Sequence, residues 1–143
     1  MNRRAFAAGT LLALALRPAA ATPEDEAAAL RAFTGGVVPR PGRVELEIPP
    51  LVENGNTVPL KVTVQSPMTP ADHVKAIAVF NEKNPQPQVI TARFGPRAGR
   101  AELATHMRLA TSQTILAVAA MNDGSFWSAS AEVVVTLAAC IES

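Results

Sequence analysis

The 143 residues hold one cysteine, two histidines, one tryptophan and no tyrosine, so the side chains that most often build metal sites and aromatic pockets are scarce. Aromatics amount to only 4% of the chain, which leaves Val, Leu and Ile to fill the interior and favours strands over a large aromatic pocket. A lone cysteine excludes an internal disulfide. It leaves a buried inert thiol, a link to another chain, or a reactive thiol. Excess charge of one sign is also missing. The formal charge is +1, and setting aside Arg3, Arg4 and Arg17 from the thirteen basic residues leaves ten against twelve acidic, or −2. That balance excludes a nucleic-acid footprint. No GxSxG, P-loop, dinucleotide fingerprint, HxxxH or CxxC pattern occurs.

Long apolar runs are absent as well. The longest uncharged stretch near the start covers residues 5–16. As a helix it would span about 18 Å, short of the roughly 30 Å of a bilayer core, so permanent membrane insertion is not expected. With Arg3 and Arg4 before it and Ala19-Ala20-Ala21 after it, the stretch reads as a signal peptide over residues 1–21, cleaved after Ala21. The Arg pair followed by Phe6 resembles a twin-arginine address, a route that carries folded cargo to the periplasm; an ordinary secretory signal is the alternative.

The remaining chain fits one domain over residues 22–137. Thr22-Pro23-Glu24-Asp25 places a capping hydroxyl, a proline at the first helical position and an acid three residues after the cap. These open a short helix that Gly35-Gly36 should stop. Beyond Pro39-Arg40-Pro41-Gly42 the hydrophobic period changes to two. Val44, Leu46 and Ile48 alternate with charged residues, and Val58, Leu60, Val62 and Val64 do the same. Pro59 implies an edge strand or a strand start. Further runs at 73–80, 88–94, 101–109, 114–121 and 125–137 are separated by Pro, Gly and Asn clusters, and Asn122-Asp123-Gly124 is a hairpin signal. About seven strands at this spacing predict an all-β, immunoglobulin-like antiparallel sandwich preceded by a short N-terminal helix.

Candidates for chemistry are few. His73 and His106 stand thirty-three residues apart without companions, which fits surface or hydrogen-bonded roles better than metal ligation. Met68, Met107 and Met121 read as core residues. His106 beside Met107, with Met121, leaves a periplasmic copper-binding sandwich as an alternative. Glu45 and Glu47 read as a solvated strand face. Cys140 differs by position. With the last strand ending near Leu137, residues 138–143 form a C-terminal arm and the thiol stands about 10 Å beyond the sheet. The alternative is that the strand runs on and buries Cys140 with Ile141.

These residues resemble the SoxY family, the sulfur-carrying subunits of the periplasmic thiosulfate-oxidising (Sox) system. The resemblance is carried by Glu53-Asn54-Gly55-Asn56-Thr57-Val58-Pro59, Ser66-Pro67-Met68-Thr69, His73-Val74-Lys75 and Asn84-Pro85. Ala98-Gly99-Arg100-Ala101-Glu102, Arg108-Leu109-Ala110, Met121-Asn122-Asp123-Gly124-Ser125-Phe126 and the terminal cysteine extend it. It implies a carrier that is not itself an enzyme and needs no cofactor or metal. Sulfur intermediates derived from thiosulfate would be held covalently on Cys140 while separate Sox cytochrome and hydrolase enzymes oxidise and hydrolyse them. It also implies a heterodimer with a SoxZ-like β-sandwich subunit. The family's arm reads Gly-Gly-Cys-Gly-Gly, whereas here Ala138, Ala139, Ile141 and Glu142 flank the thiol. Alanine and a branched Ile141 restrict an arm that glycine would leave free, and Glu142 opposes an anionic adduct. A SoxY-derived binding module without carrier activity is therefore the alternative function.

Replacing Arg3 and Arg4 together by lysine is expected to block export. Periplasmic protein undiminished in the double variant on immunoblots would reject the twin-arginine route.

Overall fold

The computed structural model describes residues 22–137; the expected signal peptide and C-terminal arm lie outside the described residues. Helix α1 (Pro23–Thr34) starts as the sequence dictates. The Thr22 hydroxyl accepts from the Asp25 amide at 3.2 Å and the Thr22 amide donates to the Asp25 carboxylate at 2.9 Å. Glu24, Asp25 and Glu26 in the first turn and Arg31 in the last complement the helix dipole. Gly35 ends the helix at φ 67°, its amide donating to the Arg31 carbonyl.

Seven longer strands follow where the alternation predicts them: β2 (Val44–Glu47), β4 (Val58–Val64), β5 (Val74–Asn81), β6 (Gln88–Arg93), β7 (Ala101–Met107), β8 (Gln113–Met121) and β9 (Phe126–Val135). Two short pairings were not expected, β1 (Arg40–Pro41) and β3 (Leu51–Val52), both parallel to β9. The sheets are β1-β9-β8-β5-β6, with β3 also on β9, and β2-β4-β7. All pairings among the seven longer strands are antiparallel. Val58, Val62, Ile77, Val79, Ile115, Ala117 and Val133 meet between the two sheets as an aliphatic core, with the half-buried Phe94 and Trp127 packed at its edge.

The chain changes sheet twice before β4. It pairs with β9 at β1, crosses to the smaller sheet for β2, and returns to β9 at β3. The first crossing needs a left-handed backbone at Gly42 (φ 129°) and Arg43 (φ 57°). Side-chain contacts offset the strain at Arg43. Its guanidinium donates to the Gln65 carbonyl at 3.0 Å and to both Asp72 carboxylate oxygens at 3.0 and 3.2 Å, and it lies 5.8 Å from the Trp127 ring centre. Pro49 and Pro50 accompany the second crossing, so β2 ends at Glu47 rather than running through Ile48. Pro59 is then accommodated as a strand start, because β2 faces only the Lys61–Val64 half of β4.

Strand β5 is buried on both faces apart from Lys75, which explains its nearly continuous apolar sequence. Its inner face enters the core, and α1 covers the outer one. Ala29, Leu30 and Phe33 pack on Ala78, Phe80 and Val118, and Phe33 meets Phe80 and Phe126 edge to face at 5.9 Å.

Glu26 lies one turn before Leu30 and two before Phe33 on the docked side of α1. Burial, and secondarily the negative charge of Glu82, push its pKa above the usual carboxylate range. The folded state therefore favours the protonated acid. This contribution is present below the unfolded pKa and is lost as pH rises through the raised folded value. Glu26→Gln is accordingly expected to raise the denaturation midpoint at neutral pH, with the gain vanishing below ~pH 4. Urea titrations at both pH values check it; a variant no more stable than the parent at neutral pH would contradict this reading of α1 docking.

Candidate functional site: the root of the C-terminal arm

The β8–β9 hairpin sets the register of the last strand. Gly124 takes φ 84°, and the Met121 amide donates to the Ser125 carbonyl. Asp123 accepts from the Ser125 hydroxyl at 2.6 Å and from its amide at 2.9 Å. These bonds, the hydroxyl's foremost, hold the Asp123 pKa below the usual range. From that turn β9 pairs with β8 as far as Gln113 opposite Val133.

The far end of β9 is fastened from several sides. The Val134 amide donates to the Pro50 carbonyl, Val135 to the Ser112 hydroxyl at 2.8 Å, and Thr136 to the Val52 carbonyl at 3.0 Å. One step on, the Gly55 amide donates to the Leu137 carbonyl at 2.9 Å, and the Leu109 amide donates to the Gly55 carbonyl at 2.8 Å. The strand ends at Val135, two residues before the expected Leu137, because the chain turns to meet residues 52–55 instead of continuing along β8. Leu137 is 64% exposed, and Leu51 and Val134, paired across the parallel ladder near the end of β9, are also exposed. The predicted thiol Cys140 and its neighbours Ala138, Ala139, Ile141 and Glu142 lie outside the described residues.

The other predicted candidates stay apart. His73 precedes β5, its Nδ1 lying 3.0 Å from the Thr69 carbonyl oxygen. His106 is exposed on the outward face of β7 opposite Pro59, whereas the adjacent Met107 points into the core. Met121 is buried in that core from β8, and Met68 is buried there too, its sulfur accepting from the Val74 amide. His106, Met107 and Met121 thus do not converge, and the copper alternative loses its ligand set. Among the described residues no group of three or more His, Cys, Asp or Glu could hold a metal. Glu45 and Glu47 are on the solvated face, as expected.

Where β2 leaves the small sheet, an open groove of 720 Å³ remains beside β4 and β7. Leu46, Ile48, Pro49, Pro59, Lys61 and His106 are among its walls. Lys61 is drawn to Glu102 at 3.7 Å.

Sequence reasoning missed a polar network at the arm end of the sandwich. Asn84 Oδ1 accepts from the Ala110 amide at 3.0 Å and from Gln113 Nε2 at 2.8 Å, while Asn84 Nδ2 donates to the Arg108 carbonyl at 2.6 Å. Asn81 is fully buried; its Oδ1 accepts from the Asn84 amide and its Nδ2 donates to the Gln86 carbonyl. From the sequence, Asn84-Pro85 reads as a strand breaker and as part of the family resemblance, with no hint of its hydrogen-bonding role. The signal available was Asn81 itself, a polar residue closing an apolar strand, which needs buried partners.

A two-sheet sandwich with one outer helix and a last strand ending at an exposed root defines the class of fold. A profile described as sulfur oxidation protein SoxY matches residues 30–140, and the chain belongs to that family. Among solved structures it is similar to the sulfur carrier protein SoxY from Chlorobium limicola f thiosulfatophilum, at 25% identity and a TM-score of 0.68, covering 80% of this chain and 98% of that one. The same architecture occurs in the superoxide reductase (neelaredoxin) of Ignicoccus hospitalis, at 17% identity and a TM-score of 0.59, covering 82% and 95% of the two chains. That likeness is one of fold alone. No match is found among curated proteins.

An arm that starts from an exposed Leu137 should present its cysteine to solvent. Iodoacetamide is expected to alkylate Cys140 in the native protein at a rate comparable to that in the urea-unfolded chain. A thiol that reacts only after unfolding would place it in the interior.

Proposed function

We propose that this SoxY-family protein is a covalent carrier of sulfur intermediates in periplasmic thiosulfate oxidation, with the Cys140 thiol as its attachment point. The observation that carries this reading is the ending of β9 at Val135 and the tying of Leu137 to Gly55 at the surface, three residues before the chain's only cysteine. A root held in this way fixes where the arm begins, and the thiol lies within about 10 Å of it.

The chemistry suits a carrier. Oxidative coupling of the Cys140 thiolate to the outer sulfur of thiosulfate forms one S–S bond and releases two electrons, which a Sox cytochrome enzyme accepts. Hydrolysis of the resulting thiosulfonate by a separate hydrolase then adds water, releases sulfate and two protons, and leaves a persulfide on the cysteine. Attachment through S–S bonds is reversible by thiol exchange. The protein contributes a tether, and the partner enzymes perform the redox and hydrolytic steps.

The carrier works in the periplasm as a heterodimer with a SoxZ-like subunit, reached through the twin-arginine signal. Support for a partner comes from the adjacent, exposed Leu51 and Val134 near the end of β9, since neighbouring exposed apolar residues favour an interaction surface. Among the described residues no helix is long and apolar enough to cross a membrane.

The altered arm favours one second reading, a binding module that retains the partner interface without carrying sulfur. Ala138, Ala139 and Ile141 narrow the conformations available to the arm, and Glu142 lies two residues from the sulfur. Two unit charges about 4 Å apart in water repel by only ~1 kcal/mol, less with salt, so Glu142 is a handicap that a carrier can bear.

Reconstitution with the SoxZ-like subunit and the cognate cytochrome and hydrolase separates the two readings. Thiosulfate-dependent electron transfer is expected with the parent protein, to disappear in Cys140→Ser, and to rise when Ala138, Ala139, Ile141 and Glu142 are all changed to glycine. Partner binding in pull-downs without any thiosulfate-dependent electron transfer would favour the binding module.

A further inference from the structure

The end of the sandwich that roots the arm also carries a recess with a different chemical character. It lies between the end of β7 and the loop joining β5 to β6 and has a volume of 410 Å³. Arg108, Asn81, Asn84, Gln86 and Gln88 supply its polar walls, Pro85 and Val89 its apolar ones, and no carboxylate lines it. Arg108 is exposed and forms no salt bridge among the described residues. The nearby acid, Glu82, directs one carboxylate oxygen to the Thr114 amide at 2.8 Å, on the β8 side of the same loop.

The backbone that carries Arg108 is fixed. Asn84 brackets it, donating to the Arg108 carbonyl and accepting from the Ala110 amide, and Asn84 is itself held by the buried Asn81 and Gln113. Such a satisfied network holds its members in one arrangement. Its effect here is to fix the backbone from which the exposed Arg108 side chain lines a recess with no carboxylate in its walls. Arginine's planar fork of donors fits the oxygens of a sulfonate or sulfate as it fits those of phosphate and carboxylate.

Distance links the recess to the arm. The hydrogen-bonded series Leu137, Gly55, Leu109 covers two strand spacings, about 10 Å, and Arg108 is the next residue. The three residues from Leu137 to Cys140 also span about 10 Å.

We propose that this recess is a subsite for a sulfur oxyanion, with Arg108 as its cationic donor, and that it can hold the anionic end of an adduct on Cys140. The tethered form rests on the carrier reading, whereas binding of a free oxyanion does not.

Backbone amide NMR shifts of Asn84, Gln86, Gln88 and Arg108 test the proposal in two arms. In the first, Cys140→Ser protein is titrated with inorganic sulfate. In the second, the parent protein is treated with tetrathionate. The thiolate attacks one inner sulfur, a new S–S bond forms, the central S–S bond breaks, and thiosulfate leaves with the electron pair. The product is a thiosulfonate on Cys140, and the neutral control is its mixed disulfide with 2-mercaptoethanol. Shifts in the sulfate arm establish the free oxyanion as a ligand, and shifts in the adduct but not in the neutral control establish the tethered one. In the sulfate arm Arg108→Gln is expected to weaken binding about tenfold or more, while Arg108→Lys retains part of it. In the adduct arm Arg108→Gln should abolish the difference from the neutral control. Unmoved amides in both arms, or shifts indifferent to Arg108→Gln, would overturn the subsite. Normal turnover of the adduct by the partner enzymes would in that case leave the carrier reading standing.

Discussion

The fastening of the end of β9 is the constraint on which the proposed site depends. Gly55 stands between Leu137 and Leu109 and is joined to each by a backbone hydrogen bond, while Pro50, Val52 and Ser112 secure the three residues before Leu137. A terminal strand held only by its hairpin would fray, because chain ends gain little from packing. Here the penultimate strand, the returning β3 segment and the loop before β4 all contribute partners. The last described residue is thereby set at the surface at one end of the sandwich, where the loops after β5 and β7 also converge.

That fastening depends on the double crossing early in the chain. Were the first strand to stay in one sheet, β3 would not reach β9 and residues 50–55 would lie elsewhere. The crossing is permitted by left-handed Gly42 and Arg43 and is held by Arg43's bonds to Gln65 and Asp72 at the opposite end of β9, beside Trp127. The positive φ is what calls for glycine at 42, since a Cβ there would make only an ordinary 3.4 Å contact with the Trp127 ring. The two ends of β9 thus serve different purposes, one locking the fold and the other rooting the arm.

Much of this was legible in the residues. The capping box at Thr22, the strand alternation at Val58–Val64, the hairpin at Asn122-Asp123-Gly124 and the solvated Glu45 and Glu47 all follow from local rules that tertiary contacts did not override. The parallel pairings of β1 and β3 were illegible, because two-residue segments have no period and their partners are more than eighty residues away. The buried amide network escaped for a similar reason. Asn81, Asn84, Arg108 and Gln113 are ordinary loop or strand-end residues until the fold brings them together. Cys140 was singled out by its position, and the structure contributes the root from which it starts.

The central claim is that sulfur is carried on Cys140, and peptide mapping by mass spectrometry tests it most directly. Protein purified without reductant from cells growing on thiosulfate, in the presence of its partner enzymes, should yield a C-terminal peptide bearing reductant-sensitive sulfur or thiosulfonate mass on Cys140. A C-terminal peptide that alkylates freely yet never bears such a mass would contradict the account.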